Sequence, residues 1–168
     1  MERQVVSTDQ GPRTGLPYSQ AIRHGHLVFV AGQVALDPAT GQIVPGDVRA
    51  QTRRVLDNVQ VILQAAGTSL AHAVECLCFL RDAGDFAAFN EAYAPYFPMN
   101  PPARTTVQAV LPRPDLLVEI RVVAAIPGGA GLHPRAGARP GRRTRPGDEP
   151  GAAATRCAGL PSGPGSRT

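Results

Sequence analysis

Pro101-Pro102-Ala103-Arg104-Thr105-Thr106-Val107, then Leu111-Pro112-Arg113-Pro114-Asp115, then Leu116-Leu117-Val118-Glu119-Ile120-Arg121-Val122-Val123-Ala124-Ala125-Ile126: the fold turns on these runs. Extended segments are expected over Thr105–Leu111 and Leu116–Ile126, separated by a Pro-rich turn. Side chains alternate along a strand, so Val118, Ile120, Val122 and Ala124 share one face. Glu119, Arg121 and Val123 share the other. The first face suits a dry core. The second mixes apolar residues with two charges and needs a different cover. An oligomer with a polar site between subunits supplies one.

Working back along the chain, Asp85 is expected to cap a helix whose stripe is Phe86, Phe89, Tyr93 and Phe97. Pro95 kinks or ends it, and Pro98, Pro101 and Pro102 stop it from resuming. Val74-Glu75-Cys76-Leu77-Cys78-Phe79-Leu80 reads as a strand. Before it, Asp47 opens a helix with Val55, Val59, Ile62, Leu63 and Ala66 at helical spacing, closed by Gly67. Ala21 to Val34 reads as a hairpin turning at His24-Gly25-His26, and Asp37-Pro38-Ala39-Thr40-Gly41-Gln42 is a turn cluster. The predicted order is β-β-α-β-α-β-β. It is an α+β layer, with two helices on one face of a mixed sheet.

Composition divides the 168 residues in two. Residues 1–127 carry regular apolar periodicity, with ten arginines against eleven acids. Residues 128–168 are Gly, Pro, Ala and Arg for the most part, with seven arginines against Asp148 and Glu149. Such a segment buries too little apolar surface to offset its ordering entropy, so a disordered tail is expected. The chain has no lysine, which excludes a lysine Schiff base and a P-loop lysine. No apolar run reaches membrane-span length, and the polar N-terminus lacks a signal core. Cys76 and Cys78 fall on one face of a strand, a spacing for buried thiols, and a reducing cytoplasm is expected. The four histidines show no ligand spacing, and Ser19 and Ser69 lack a triad-like setting. Neither a metal nor a serine nucleophile is expected. A near-neutral domain without a basic, aromatic-interleaved stripe points to no specific nucleic-acid partner.

Arg104, stiffened by the prolines before it, is placed to clamp a small carboxylate through two parallel hydrogen bonds. The bland alternative is a surface arginine at a strand start. Glu119 stands where an aliphatic residue is expected if both faces are dry. It is either a structural ion-pair partner of Arg104 or Arg121, or a group that positions water and moves a proton. Tyr18 either donates into a pocket or packs at an edge. Gly32 marks a close backbone approach or a bulge. Asn90 either reaches a ligand or faces solvent.

Taken together, these segments resemble the Rid (reactive intermediate deaminase, YjgF) family over about residues 14–127. The matching blocks are Gly15-Leu16-Pro17-Tyr18-Ser19-Gln20-Ala21, Val30-Ala31-Gly32-Gln33-Val34, Asp37-Pro38-Ala39-Thr40-Gly41, Gln51 to Val59, Asp85 to Asn90, Pro102-Ala103-Arg104 and Val118-Glu119-Ile120. The resemblance implies a chorismate-mutase-like fold and a homotrimer with pockets between subunits. It further implies hydrolysis of 2-imino acids, such as 2-aminoacrylate and 2-iminobutanoate, to 2-oxo acids and ammonia, without metal or organic cofactor. By the same resemblance Arg104 holds the substrate carboxylate, Glu119 activates water, and Tyr18, Gly32 and Asn90 line the pocket. The chain departs from the family at Leu16, where glycine is usual, at Ala31 for serine, at Thr106 for cysteine, and at Arg121 for a second glutamate. The alternative of a different class is a non-catalytic trimeric module that binds a 2-oxo acid or amino acid.

Overall fold

The computed structural model describes residues 2–128. The expected tail, with His133 and Cys157, lies outside the described residues apart from Gly128. The strands are β1 (Arg3–Val6), β2 (Ala21–His24), β3 (Leu27–Val30), β4 (Ala73–Leu80), β5 (Ala103–Gln108) and β6 (Val118–Ala125). Helix α1 spans Val48–Ala65 and α2 spans Phe86–Tyr93.

The sheet order is β1-β2-β3-β6-β4-β5. Only β4 and β5 pair in parallel, across the α2 crossover. β6 inserts antiparallel between β3 and β4, so β3-α1-β4 is a split βαβ unit. The last strand in sequence is thus central, and its alternation decides both faces. Val118, Ile120, Val122 and Ala124 are fully buried, with Val28, Val30, Cys76, Cys78 and Leu80 around them. Helix α1 adds Val55, Leu56, Val59, Ile62 and Leu63 to this core, and α2 adds Phe89 and Tyr93. The mixed α+β sheet with two helices is therefore the one expected.

Local details follow from the sequence. The Asp47 carboxylate accepts from Ala50 N at 2.9 Å and caps α1. Gly67 takes φ +83 after α1, a conformation that other residues rarely adopt. Helix α2 gives way to a 3₁₀ turn at Ala94–Tyr96, around Pro95.

Four expectations need correction. β1 was not foreseen, since four residues of mixed polarity carry little periodic signal; it pairs with β2 at the sheet edge. Asp85 is not a side-chain cap. A 3₁₀ turn at Ala83–Asp85 runs into α2, and Asp82 caps that turn by accepting from Gly84 N at 2.8 Å. β5 stops at Gln108, short of Leu111. β6 begins at Val118 rather than Leu116, because Leu117 N donates to the Gln51 side chain instead of to a strand.

Candidate functional site

Glu119 projects from the sheet face opposite the helices. β3 and β6 pair as far as Phe29 and Val123, and the chains meet again where Gln33 bridges Ile120 through two backbone hydrogen bonds of 2.9 and 3.0 Å. Four residues on one side match three on the other. The extra residue bulges the chain at 30–32 and brings Gly32 against Glu119. A Cβ built on Gly32 stands 3.0 Å from Glu119 Cδ and closer still to Oε1. Glycine at 32 therefore leaves the space that the carboxylate fills.

A cavity of about 580 Å³ opens over this point, lined by Tyr18, Ala31, Gly32 and Glu119 among others. The Tyr18 hydroxyl accepts from Thr14 Oγ1 at 3.0 Å, so its own proton is left to donate. No arginine lies within ion-pair distance of Glu119 among the described residues. The ion pair of Glu119 with Arg104 or Arg121 is therefore not realised among the described residues. Arg121, although on the same strand face, does not line this cavity.

Burial pushes the Glu119 carboxyl above its ordinary value of 4.5. The fold thus favours the protonated form. That stabilisation is complete below pH 4.5 and is lost as pH rises through the folded value. At neutral pH an ionised Glu119 costs stability. Glu119→Gln is expected to raise the melting temperature at pH 7, and the gain to vanish as pH falls below 4.5. Melts of both proteins across that range test this; a destabilised glutamine variant at pH 7 overturns it.

Arg104 lies elsewhere. It sits opposite Cys76 on the edge strand β5, while Glu119 sits opposite Phe79. Positions 76 and 79 are an odd number apart, so the two side chains leave opposite faces of the sheet. Three residues along β4 and two strand spacings put their Cα atoms about 14 Å apart. The Arg104 guanidinium lies on the helix side, 4.7 Å from the Tyr93 ring centroid, 5.4 Å from Phe89 and 5.8 Å from Phe86. The aromatic stripe of α2 is thus a rest for a cation as well as core packing. No acid pairs with Arg104 among the described residues, so its donors remain available to an anion. A second, open pocket gathers Arg104 with Asn90, Tyr93, Phe97, Pro101 and Pro102.

The expected site residues therefore fall into two groups, Tyr18, Gly32 and Glu119 in one and Asn90 and Arg104 in the other. One chain does not bring the groups together. Burial raises the Cys76 thiol and pushes Cys78 up to about 12, so neither supplies a thiolate near neutral pH. No cluster of metal-ligating side chains occurs among the described residues. No helix there is long and apolar enough to cross a membrane.

Sequence reasoning missed the residues that hold the first cavity. Gln51 Nε2 donates to Asp115 O at 2.9 Å, and Asn58 Nδ2 donates to Leu36 O at 2.8 Å. Gln20 both accepts from Thr8 N at 2.7 Å and donates to Pro12 O at 3.0 Å, anchoring the loop that carries Tyr18. The signal for Gln51 and Asn58 was present: both fall at helical spacing on the apolar stripe of α1 and are buried. A buried amide on an apolar stripe must find partners, and here they are loop carbonyls.

A family model described as "Endoribonuclease L-PSP" matches residues 8–126. A "RutC family protein" of Pyrococcus horikoshii is 45% identical over 122 residues, which cover 73% of this chain and 97% of that protein. The "2-iminobutanoate/2-iminopropanoate deaminase" of Mus musculus is 42% identical over 123 residues, covering 73% of this chain and 90% of the relative. Among solved structures, RidA from an Antarctic Psychrobacter superposes with a TM-score of 0.70 at 36% identity, covering 73% of this chain and 99% of that one.

Proposed function

Because the chain belongs to the Rid (YjgF) family, we propose that it hydrolyses small 2-imino acids and their enamine tautomers to 2-oxo acids and ammonia. The observation that carries this reading is the pair of unsatisfied groups on opposite sheet faces. A half-buried carboxylate with no cation in reach among the described residues stands against Gly32, and a guanidinium with no acid partner among them rests on the α2 rings. The carboxylate of a 2-imino acid suits the second group, and its neighbouring iminium carbon suits a water held by the first. Joining them requires a second copy of the chain. Asn90 and Arg104 of one subunit would face Tyr18, Gly32 and Glu119 of another.

The chemistry asks little of the protein. The iminium carbon is already electrophilic. A water positioned by Glu119 forms a C–O bond to it and gives a proton to the carboxylate, leaving a carbinolamine. That proton passes to the amine nitrogen; the carbinol hydroxyl then gives its own proton to the Glu119 carboxylate as the C–N bond breaks, so that ammonia leaves and the carbonyl forms. Arg104 holds the substrate carboxylate throughout, so orientation replaces a strong nucleophile. A carboxyl held above its ordinary value is suited to accept and return the proton. No metal or organic cofactor enters this scheme.

The test is 2-oxo acid release from enzymatically generated 2-aminoacrylate and 2-iminobutanoate, compared with the spontaneous rate. Acceleration is expected. Binding of 2-oxobutanoate without turnover of any imine would favour the non-catalytic binding module instead. The shared site calls for an oligomer, and the family resemblance makes it a homotrimer. Light scattering on the size-exclusion peak is expected to give about three times the 17.6 kDa chain mass; a stable monomer that turns over imines would overturn the shared pocket.

A further inference from the structure

We propose that this protein prefers 2-imino acids with bulky apolar side chains, and that Leu16 is a specificity-determining residue for them. The inference rests on the imine-hydrolase reading and concerns where the substrate's side chain goes. With the carboxylate held by Arg104 of a second copy and the imine carbon at Glu119, the side chain extends into the rest of the Glu119 cavity. On one chain this cavity is open, about 580 Å³ before a second copy covers it, so the residues that this chain contributes to its lining, and not its volume, bear on the choice of side chain.

Its walls are apolar. Val34, Leu36, Ile43 and Leu116 line it beneath, and Leu16 stands at its mouth. The two arginines near the mouth are engaged within the chain. Arg113 holds Asp115 through Nε at 3.2 Å and Nη2 at 2.7 Å, and Arg13 pairs with Asp9. The Tyr18 hydroxyl already accepts from Thr14. The polar groups of the lining are Glu119, the Tyr18 hydroxyl, Thr14 and the two arginines, and the last two already hold carboxylates of this chain; the rest of the lining offers an entering side chain mainly apolar contact.

Leu16 itself is 60% exposed. A leucine in that state contributes little to the folded core, yet gains contact when an apolar group enters beside it. It follows Gly15, whose φ of +68 sets the loop's direction, and precedes Pro17; the turn closes through Tyr18 N donating to Leu16 O at 2.8 Å. The backbone thus places both Leu16 and Tyr18 at the mouth. Ala31 continues the apolar lining beside Gly32.

The experiment is a kcat/KM series on 2-imino acids generated in place by an amino-acid oxidase from alanine, 2-aminobutanoate, leucine, methionine and phenylalanine. The leucine-, methionine- and phenylalanine-derived imines are expected to exceed the alanine-derived one by at least tenfold, since one methylene in an apolar pocket is worth about 10-fold or more. Leu16→Gly is expected to lower the leucine-to-alanine ratio about tenfold, and Leu16→Met to restore most of it. Calorimetry with 4-methyl-2-oxopentanoate and 2-oxobutanoate gives a readout independent of turnover, with the longer acid binding more tightly to wild type only. If every imine is hydrolysed but the smallest is preferred, or if Leu16→Gly leaves the ratio unchanged, the inference fails while the hydrolase reading stands. If no imine is hydrolysed and the two oxo acids bind equally, both fall.

Discussion

Arg104→Ala is expected to abolish measurable binding of 2-oxobutanoate, whereas Glu119→Gln is expected to leave that binding within a few-fold and to slow imine hydrolysis by about 10²–10⁴-fold. The two losses differ because the groups act at different moments. In the proposed site Arg104 would meet the substrate carboxylate in ground and transition states alike, through charge-assisted bonds each worth about 1.5–3 kcal/mol. Among the described residues no other cation lines its pocket, where three aromatic rings lie beside the guanidinium. Glu119 contributes when water gives up its proton, a change that glutamine cannot accept. Neither variant is expected to unfold the protein. Arg104 is exposed on an edge strand, and Glu119→Gln removes a half-buried charge that has no cation partner among the described residues. Calorimetric titration of 2-oxobutanoate, paired with 2-oxo acid formation from 2-iminobutanoate, checks both. Normal turnover by Arg104→Ala means the carboxylate binds elsewhere. Normal turnover by Glu119→Gln, with Arg104→Ala inactive, leaves a carboxylate clamp whose water is activated by another group.

Gly32→Ala is expected to cost about 10²-fold in kcat/KM with little loss of stability, the scale of a catalytic group misplaced by about 1 Å. The three atoms nearest the added methyl all belong to the Glu119 side chain. Gly32 is not among the glycines at positive φ, so alanine brings no backbone strain of its own. The fold is expected to accommodate the methyl by moving the carboxylate, whose position the proposed hydrolysis needs. A double variant supplies the control. If Gly32 acts through Glu119, adding Gly32→Ala to Glu119→Gln costs far less than the single change costs in wild type. Thermal melts and kcat/KM on the four variants read this directly. Additive losses, or a large fall in melting temperature for Gly32→Ala alone, remove Gly32 from this role.

The sequence by itself determined the layers. Alternation on Val118–Ala124 defined a dry face and a mixed face, and the periodic stripes after Asp47 and Asp85 supplied two helices for the dry one. Such patterns are legible because burial of one face is a local, periodic property. The spacing of the blocks from Gly15 to Ile120 also carried the family resemblance, and with it Arg104, Glu119, Tyr18, Gly32 and Asn90 as site residues. Strand order was not local information. β6, last in the chain, lies between β3 and β4, and only that insertion sets Glu119 beneath the bulge at Gly32. The sequence reading left open whether Glu119 pairs with Arg104. Register answers it, because an odd offset on β4 sends the two side chains to opposite faces. The buried amides of Gln51 and Asn58 were visible as polar breaks in an apolar stripe, but their partners are carbonyls distant in sequence. A hydrogen bond between residues tens of positions apart leaves no periodic trace along the chain. It exists only once packing has brought the donor to the loop it holds.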